Sequence, residues 1–197
     1  MVERRSNMEH TYDLPPIQQE KLEDYNYISH GEVLKALEQF GYGHPSKRLV
    51  DAMYVRKDGS SAVGVLQVTD ERCEGHFTGN HIFRGVDQVE AMGQAFLLFL
   101  HFSNKVPVGM VPRFIEINNF SFKNAAVPEM VLNIQLKGIG EIEPTRRPFS
   151  IYGKIYNGTK ITSEGSIRGD LRQKRLSDEL LTRARRQIQN PVFPLNG

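Results

Sequence analysis

Residues 71–102 read ERCEGHFTGNHIFRGVDQVEAMGQAFLLFLHF, and this stretch decides the fold. A glycine-containing loop leads into a segment that begins at Gly85 and ends near Phe102. In its second half, from Ala95 to Leu100, apolar residues occupy every side of a helix. A helix that is apolar all round must be buried. The sequence therefore predicts a long central helix that the rest of the chain encloses.

Segments typical of strands flank the predicted central helix on both sides. Two β-rich segments, 48–55 and 62–68, precede it and are separated by Asp58-Gly59, which predicts a tight hairpin. Further strands are predicted after it, at 114–123, 130–136, 149–156 and 160–167, with a turn at Asn157-Gly158. This order predicts an α+β fold in which an antiparallel sheet is wrapped around a long central helix.

Both ends of the chain differ in composition from its middle. Residues 1–28 are polar and contain Pro15 and Pro16, which predicts a poorly ordered N-terminal arm. Residues 29–170 are expected to form one domain, which starts with a short amphipathic helix capped by Ser29 and Glu32. Residues 171–197 are predicted to form an amphipathic helix that packs on the body or a partner subunit, or docks on an acidic partner. The apolar stripe of that helix consists of Leu176, Leu180, Ala184 and Ile188.

Charge and cysteine content exclude several classes of function. The chain has 25 Lys and Arg residues against 23 Asp and Glu residues, so it lacks the basic excess that is typical of nucleic-acid binding. A single cysteine, Cys73, cannot form an intramolecular disulfide and fits a reducing compartment. The apolar runs are too short for a signal peptide or a membrane span. We therefore expect a cytoplasmic protein with no nucleic-acid partner and no membrane span.

The start of the central helix carries the candidate chemistry. Asp87, Glu90 and Gln94 are three and four residues apart, so they share one helical face. The helix start also offers unpaired backbone N–H groups, and Gly85 lets a ligand approach them closely. Such groups can stabilise a carbonyl oxygen on which negative charge develops. His76, in the preceding loop, can exchange protons near neutral pH at the same mouth.

Two other interpretations of these residues stay open on pattern alone. Acids in a first helical turn are ordinary partners of the helix dipole, and histidines between glycines often only stabilise loops. Cys73, His76 and His81 are residue types that bind zinc, but no fourth ligand follows at a recognisable spacing. A buried thiol is the more ordinary role for Cys73.

The same residues resemble the signature of the β-hydroxyacyl-acyl-carrier-protein dehydratases of the FabZ and FabA type. That signature has Gly-His-Phe, two further glycines and a helix containing Glu-Ala-Met-Ala-Gln. The matching residues are Gly75-His76-Phe77, Gly79, Gly85 and Glu90-Ala91-Met92-Gly93-Gln94. The histidine and the acid stand fourteen positions apart, as the family pattern requires. Weaker similarity extends to about Gly169, over roughly two thirds of the chain.

The resemblance implies a hotdog fold and dehydration of a β-hydroxyacyl thioester to a trans-2-enoyl thioester. It also implies a homodimer, with assembly into a higher oligomer left open. It implies that His76 removes the α-proton and that Glu90 of the other subunit protonates the leaving hydroxyl. Gly85 would stabilise the thioester oxygen and Gln94 would orient Glu90, with Phe77 and Val86 beside the substrate. Neither a metal nor a redox cofactor is required. The expected partner is an acyl carrier protein, whose phosphopantetheine arm bears the acyl chain, or coenzyme A.

Several residues depart from the family pattern. Thr78 and Arg84 replace prolines, and Asn80-His81 replaces a more apolar pair. Arg84 brings a fixed charge that can recognise a phosphate of the carrier or a polar acyl chain. These changes favour a divergent member, serving fatty acid or polyketide-type biosynthesis. The alternatives are a hotdog acyl thioesterase and a non-catalytic protein that binds acyl chains.

Overall fold

The computed structural model describes residues 22–77, 79–137 and 148–173. Within these ranges the helices are α1 (His30–Gln39), the single turn α2 (Asp70–Cys73) and the central helix α3 (Gly85–Phe102). The strands are β1 (Tyr25–Ile28), β2 (Ala52–Arg56), β3 (Ser61–Gln67), β4 (Met110–Phe122), β5 (Val131–Lys137), β6 (Phe149–Asn157) and β7 (Lys160–Gln173). The central helix has the bounds that the sequence predicted.

One antiparallel sheet contains the seven described strands, in the order β1-β2-β3-β5-β6-β7-β4. The predicted hairpin at Asp58-Gly59 joins β2 to β3, and Gly59 adopts the positive φ of 67° that such a turn requires. The predicted turn at Asn157-Gly158 joins β6 to β7. The predicted arrangement of an antiparallel sheet around a central helix is therefore confirmed.

The core lies between the sheet and the central helix. Every residue of that helix from Ala91 to Leu100 is buried, and the alternating Leu132, Ile134 and Leu136 of β5 belong to the same core. The helix and sheet lie unusually close at Gly93, where an added Cβ atom would come within 2.9 Å of the Phe114 ring. A larger residue at position 93 would displace that aromatic side chain, so this packing fixes the helix against the strands.

The structure differs from the sequence prediction at both ends of the domain. The expected N-terminal arm 1–28 ends earlier, because residues 25–28 pair with β2 as an edge strand. Residues 171–173, the first residues of the expected helix 171–197, are not helical, because they continue β7 and pair with β4. In both places backbone hydrogen bonds to a neighbouring strand stabilise a short polar segment as a strand. The sequence of such a segment does not indicate this pairing. Residues 1–21 and the predicted stripe at Leu176, Leu180, Ala184 and Ile188 lie outside the described residues.

A partly buried ion pair anchors α2, from which the loop carrying His76 continues. The Arg72 guanidinium donates to both carboxylate oxygens of Asp51, at 2.8 and 2.9 Å, and to the carbonyls of Gln67 and Arg48. Asp51 also accepts the backbone N–H of Gln67 at 2.6 Å. This network ties α2 to β3 and to the segment before β2, so the loop starts from a fixed position on the sheet.

No helix in the described ranges is long and apolar enough to cross a membrane.

Candidate active site

The imidazole of His76 is held by a neighbouring backbone carbonyl. Its Nδ1 atom lies 3.2 Å from the carbonyl oxygen of Ile82. Because a carbonyl can only accept, Nδ1 carries the hydrogen of this bond, and Nε2 of the neutral ring keeps a free lone pair. Phe77 has a positive φ of 61° and places its ring 4.2 Å from the imidazole, centroid to centroid. The loop therefore presents a base of defined tautomer.

His76 lines a cavity of about 500 Å³ at the start of the central helix, together with Gly85, Gln88 and Phe122. An added Cβ atom on Gly85 would lie 2.8 Å from the Phe122 ring, closer than real Cβ contacts. Only glycine fits there without moving that ring. The first turn of a helix leaves its backbone N–H groups without intrahelical partners, so Gly85 brings such donors to the wall of the cavity.

Glu90 is held by the fully buried side chain of Gln94, one turn further along the central helix. Gln94 Nε2 donates to Glu90 Oε1 at 3.0 Å and to the Lys47 carbonyl at 2.6 Å. Gln94 Oε1 accepts the backbone N–H of Leu49 at 2.8 Å. Because backbone groups of another segment fix the amide at both ends, Gln94 has a single orientation. It therefore holds the Glu90 carboxyl group in one position, and a catalytic purpose for this contact stays a prediction.

Tyr42 is a second partner of Glu90 that the sequence analysis missed. Burial, and then a hydrogen bond to Glu90, raise the pKa of the Tyr42 hydroxyl well above its ordinary value. The backbone of Tyr42 is fixed as well, since its N–H donates to Leu37 and its carbonyl accepts from Arg48. A tyrosine between Gly41 and Gly43 gives no spacing signal that links it to a distant helix.

Glu90 lines a different cavity from His76, with a volume of about 720 Å³. Tyr42, Asp87 and Lys47 line the Glu90 cavity as well. Arg84 and Val86 line both cavities, so the first turn of the central helix stands between them. Within one protomer the described residues thus place the predicted base and the predicted acid on opposite sides of the same helix start.

Arg84, at the N-terminal end of the central helix, is paired with Asp87. Its Nε atom donates to Asp87 Oδ2 at 2.6 Å and its Nη2 atom to Asp87 Oδ1 at 2.9 Å. This bidentate pair places Asp87 beside the guanidinium, and Asp87 does not hydrogen-bond Glu90 or Gln94 in this arrangement. Val86 is 68 % exposed and Phe77 is 60 % exposed, so both apolar side chains lie at the surface of the protomer.

The residues considered as zinc ligands are engaged elsewhere. Cys73 is fully buried in the core, and burial raises the pKa of its thiol. His81 Nδ1 lies 3.1 Å from Asp70 Oδ1, whereas His76 Nδ1 faces the Ile82 carbonyl. Among the described residues no three His, Cys, Asp or Glu side chains are grouped to hold a metal ion. The arrangement offers acid–base chemistry and backbone donors.

Replacement of Tyr42 by Phe tests whether its hydroxyl positions Glu90. We expect kcat for turnover of the substrate to fall about tenfold with little change in KM, because a hydrogen bond that aligns Glu90 is lost. Steady-state kinetics of the variant measure both constants. Tyr54→Phe is a matched control, since Tyr54 is a partly buried tyrosine on β2 outside both cavities. An unchanged kcat for Tyr42→Phe would contradict the role.

The sequence is similar to those of known dehydratases. The chain is 29 % identical over 140 residues to the 3-hydroxyacyl-[acyl-carrier-protein] dehydratase FabZ of Syntrophotalea carbinolica, covering 70 % of this chain and 92 % of that protein. It is 32 % identical over 129 residues to the FabZ of Alkaliphilus metalliredigens, covering 60 % of this chain and 80 % of the relative. No family model matches the chain.

Solved structures with the same fold include enzymes of another class. A thioesterase superfamily member from Thermus thermophilus has a TM-score of 0.57 at 15 % identity, covering 67 % of this chain and 95 % of its own. A hot-dog-like protein from Thermanaerovibrio acidaminovorans has a TM-score of 0.54 at 13 % identity, covering 65 % and 92 %. The fluoroacetyl-CoA thioesterase FlK has a TM-score of 0.55 at 12 % identity, covering 64 % and 96 %. These likenesses confirm the predicted hotdog fold.

Proposed function

We propose a function for this chain from its family, since it belongs to the FabZ-type hotdog dehydratases. The proposed reaction converts a β-hydroxyacyl thioester to a trans-2-enoyl thioester and water. The observation that carries the proposal is the position of the two reactive side chains. A base with a free Nε2 and a carboxylate fixed by Gln94 stand on opposite sides of one helix start. Two copies of such a chain can complete each other.

The active unit that we propose is a homodimer in which His76 of one protomer faces Glu90 of the other. The exposed residues Ile115, Ile117 and Phe122 give the edge strand β4 an apolar character that suits pairing with a second copy. Phe122 also lines the His76 cavity and touches the position of Gly85, so an interface along β4 reaches that cavity. A two-fold axis would then create two equivalent sites.

In the proposed reaction, Nε2 of His76 removes the α-proton of the thioester. The electron pair moves toward the thioester oxygen, where a backbone N–H group at Gly85 and the positive end of the helix stabilise the charge. The protonated carboxyl group of Glu90, directly or through a water molecule, delivers a proton to the β-hydroxyl group, which leaves as water as the double bond forms. The step leaves an imidazolium at His76 and a carboxylate at Glu90, and return of the proton from His76 to Glu90 resets the site. Gln94 and Tyr42 keep the acid aligned.

The carrier that we propose is an acyl carrier protein or coenzyme A, because both present the acyl chain as a pantetheine thioester. The exposed Val86 lines both cavities, and the exposed Phe77 packs beside His76, so both suit contact with the apolar chain or with the second protomer. The chemistry is acid–base throughout, so no step draws on a metal or a redox cofactor.

Turnover of β-hydroxyacyl thioesters on either carrier tests the proposal. Dehydration gives the absorbance of an enoyl thioester without free thiol. Free thiol without enoyl product would show an acyl thioesterase, an activity found among proteins of this fold. Binding of acyl carrier protein with no turnover of any chain length would show a non-catalytic member. Either of the latter results would overturn dehydration as the function.

Arg84 is proposed to recognise a negative group of the carrier or chain after exchanging its contact with Asp87. Arg84→Ala should then raise KM about ten- to a hundredfold at low salt and less at high salt, since a charge-assisted hydrogen bond is lost. Asp87→Asn is the matched variant: it frees the same guanidinium and should lower KM. Equal KM values for wild type and Arg84→Ala at low salt would leave Arg84 as a helix-terminal partner of Asp87 alone.

A further inference from the structure

Gln88 is a buried amide that the proposed reaction does not use. It lies on the first turns of the central helix, is 3 % exposed and lines the His76 cavity. Its Oε1 atom is enclosed and has no hydrogen-bond partner among the described residues. An amide oxygen buried without a partner costs free energy comparable to a lost hydrogen bond. A polar ligand that pairs with Gln88 would recover this free energy.

The other polar side chains of the His76 cavity already have partners in the protein. Nδ1 of His76 donates a hydrogen bond to the Ile82 carbonyl, and Arg84 is paired with Asp87. Lys123 lies 3.6 Å from Glu164, and Asn124 donates to the Ile161 carbonyl at 2.6 Å. Apart from Nε2 of His76, which the proposed reaction uses, the amide of Gln88 is therefore the unpaired polar side-chain group among the described residues of this cavity.

The position of Gln88 relative to Gly85 indicates which part of a substrate it meets. Gln88 follows Gly85 by three residues, which is about 4.5 Å along the helix axis. If the thioester oxygen lies at Gly85, Gln88 lies beside the acyl chain. The surrounding Ile82, Phe83 and Phe122 are apolar and suit the hydrocarbon part of that chain.

We propose that Gln88 binds a hydroxyl group on the acyl chain beyond the β-carbon, so that the substrates are chains with this second hydroxyl. This inference rests on the proposed function of the cavity. Oε1 is enclosed in the free protein, so a ligand meets this oxygen after the amide turns over toward the cavity. A hydroxyl group both donates and accepts, so it pairs with either end of the amide. A plain alkyl chain would leave Gln88 unpaired and would bind less well.

Stable ligands test the inference without turnover. The probes are octanoyl-pantetheine amide and 5-hydroxyoctanoyl-pantetheine amide, which lack a β-hydroxyl group and cannot be dehydrated. Calorimetry with the full chain should give about tenfold tighter binding of the hydroxylated probe, as expected when one buried hydrogen bond decides the preference. Gln88→Leu should remove this preference and bind the alkyl probe at least as tightly as wild type. Circular dichroism verifies folding, and Gln88→Met serves if Gln88→Leu does not fold.

Gln135→Leu is the matched control. Gln135 is a second buried glutamine with an unpaired atom, Nε2, but it lies on β5 outside the His76 cavity. Its replacement should leave the preference for the hydroxylated probe unchanged.

Several outcomes would overturn the inference. The first is an equal affinity of the wild-type protein for the two probes. The second is a preference for the hydroxylated probe that persists in Gln88→Leu. The third is that the wild-type protein binds neither probe. A loss of self-association in Gln88→Leu, measured by sedimentation, would assign the amide to a second copy of the chain instead. Dehydration of alkyl substrates without any preference would support the proposed function and reject only the role of Gln88.

Discussion

His76→Ala and Glu90→Gln should each lower the rate of elimination by at least about a hundredfold, because a positioned acid or base typically contributes that much. The measurement is kcat/KM for formation of the enoyl thioester. Glu90→Gln keeps the shape of the side chain and a possible contact with Gln94 while it removes the acid. Both variants should fold, since His76 and Glu90 are only partly buried and lie outside the core.

Asp87→Asn and His81→Ala are matched controls for the two replacements. Asp87 is another acid in the Glu90 cavity, and His81 is another histidine in the same loop as His76. Neither control has a proposed part in proton transfer, so neither should approach a hundredfold loss of kcat. Near-normal turnover by folded His76→Ala or Glu90→Gln would show that the proposed roles are wrong.

Mixing these two inactive variants should restore about a quarter of the wild-type activity, because half of the randomly exchanged dimers are mixed and each has one intact site. In a mixed dimer the two changes meet in one site. The other site combines His76 of one protomer with Glu90 of the other. The enoyl assay after subunit exchange measures this recovery.

The mixing experiment needs proof that the subunits exchanged. Two affinity tags, one on each variant, allow the mixed dimer to be purified and assayed by itself. Activity in that fraction supports a site shared between protomers. An inactive mixed dimer would place both groups of a site in one chain, against the separate cavities that His76 and Glu90 line.

The sequence predicted the central helix and its partners well because each has a strong local signal. A run that is apolar all round leaves burial as its only stable environment, and it marked the helix from Gly85 to Phe102. The spacing of Ser29 and Glu32 marked α1, and the N–H of Ser29 does donate to Glu32 Oε2 at 2.9 Å. The contact of Gln94 with Glu90 follows from their four-residue spacing.

Features that depend on distant partners could not be predicted in this way. Tyr42 meets Glu90 only through tertiary packing, and β1 exists because β2 offers its edge. The salt bridge between Arg84 and Asp87 has a readable i,i+3 spacing, yet the sequence analysis did not pair the two residues. A spacing of fourteen residues between base and acid also does not say whether they meet within one chain.

The two edges of the described sheet differ greatly in length, and this matters for extension of the sheet from one copy to the next. β4 is a strand of 13 residues, whereas β1 at the opposite edge has 4. If two copies pair through β4, the long edge of each is used up. The short strand β1 then forms each outer end of the joined sheet, and it is too short to bind another copy by backbone pairing. Extension of the sheet through the described edges would then end at two copies, and any larger assembly would have to form through other surfaces.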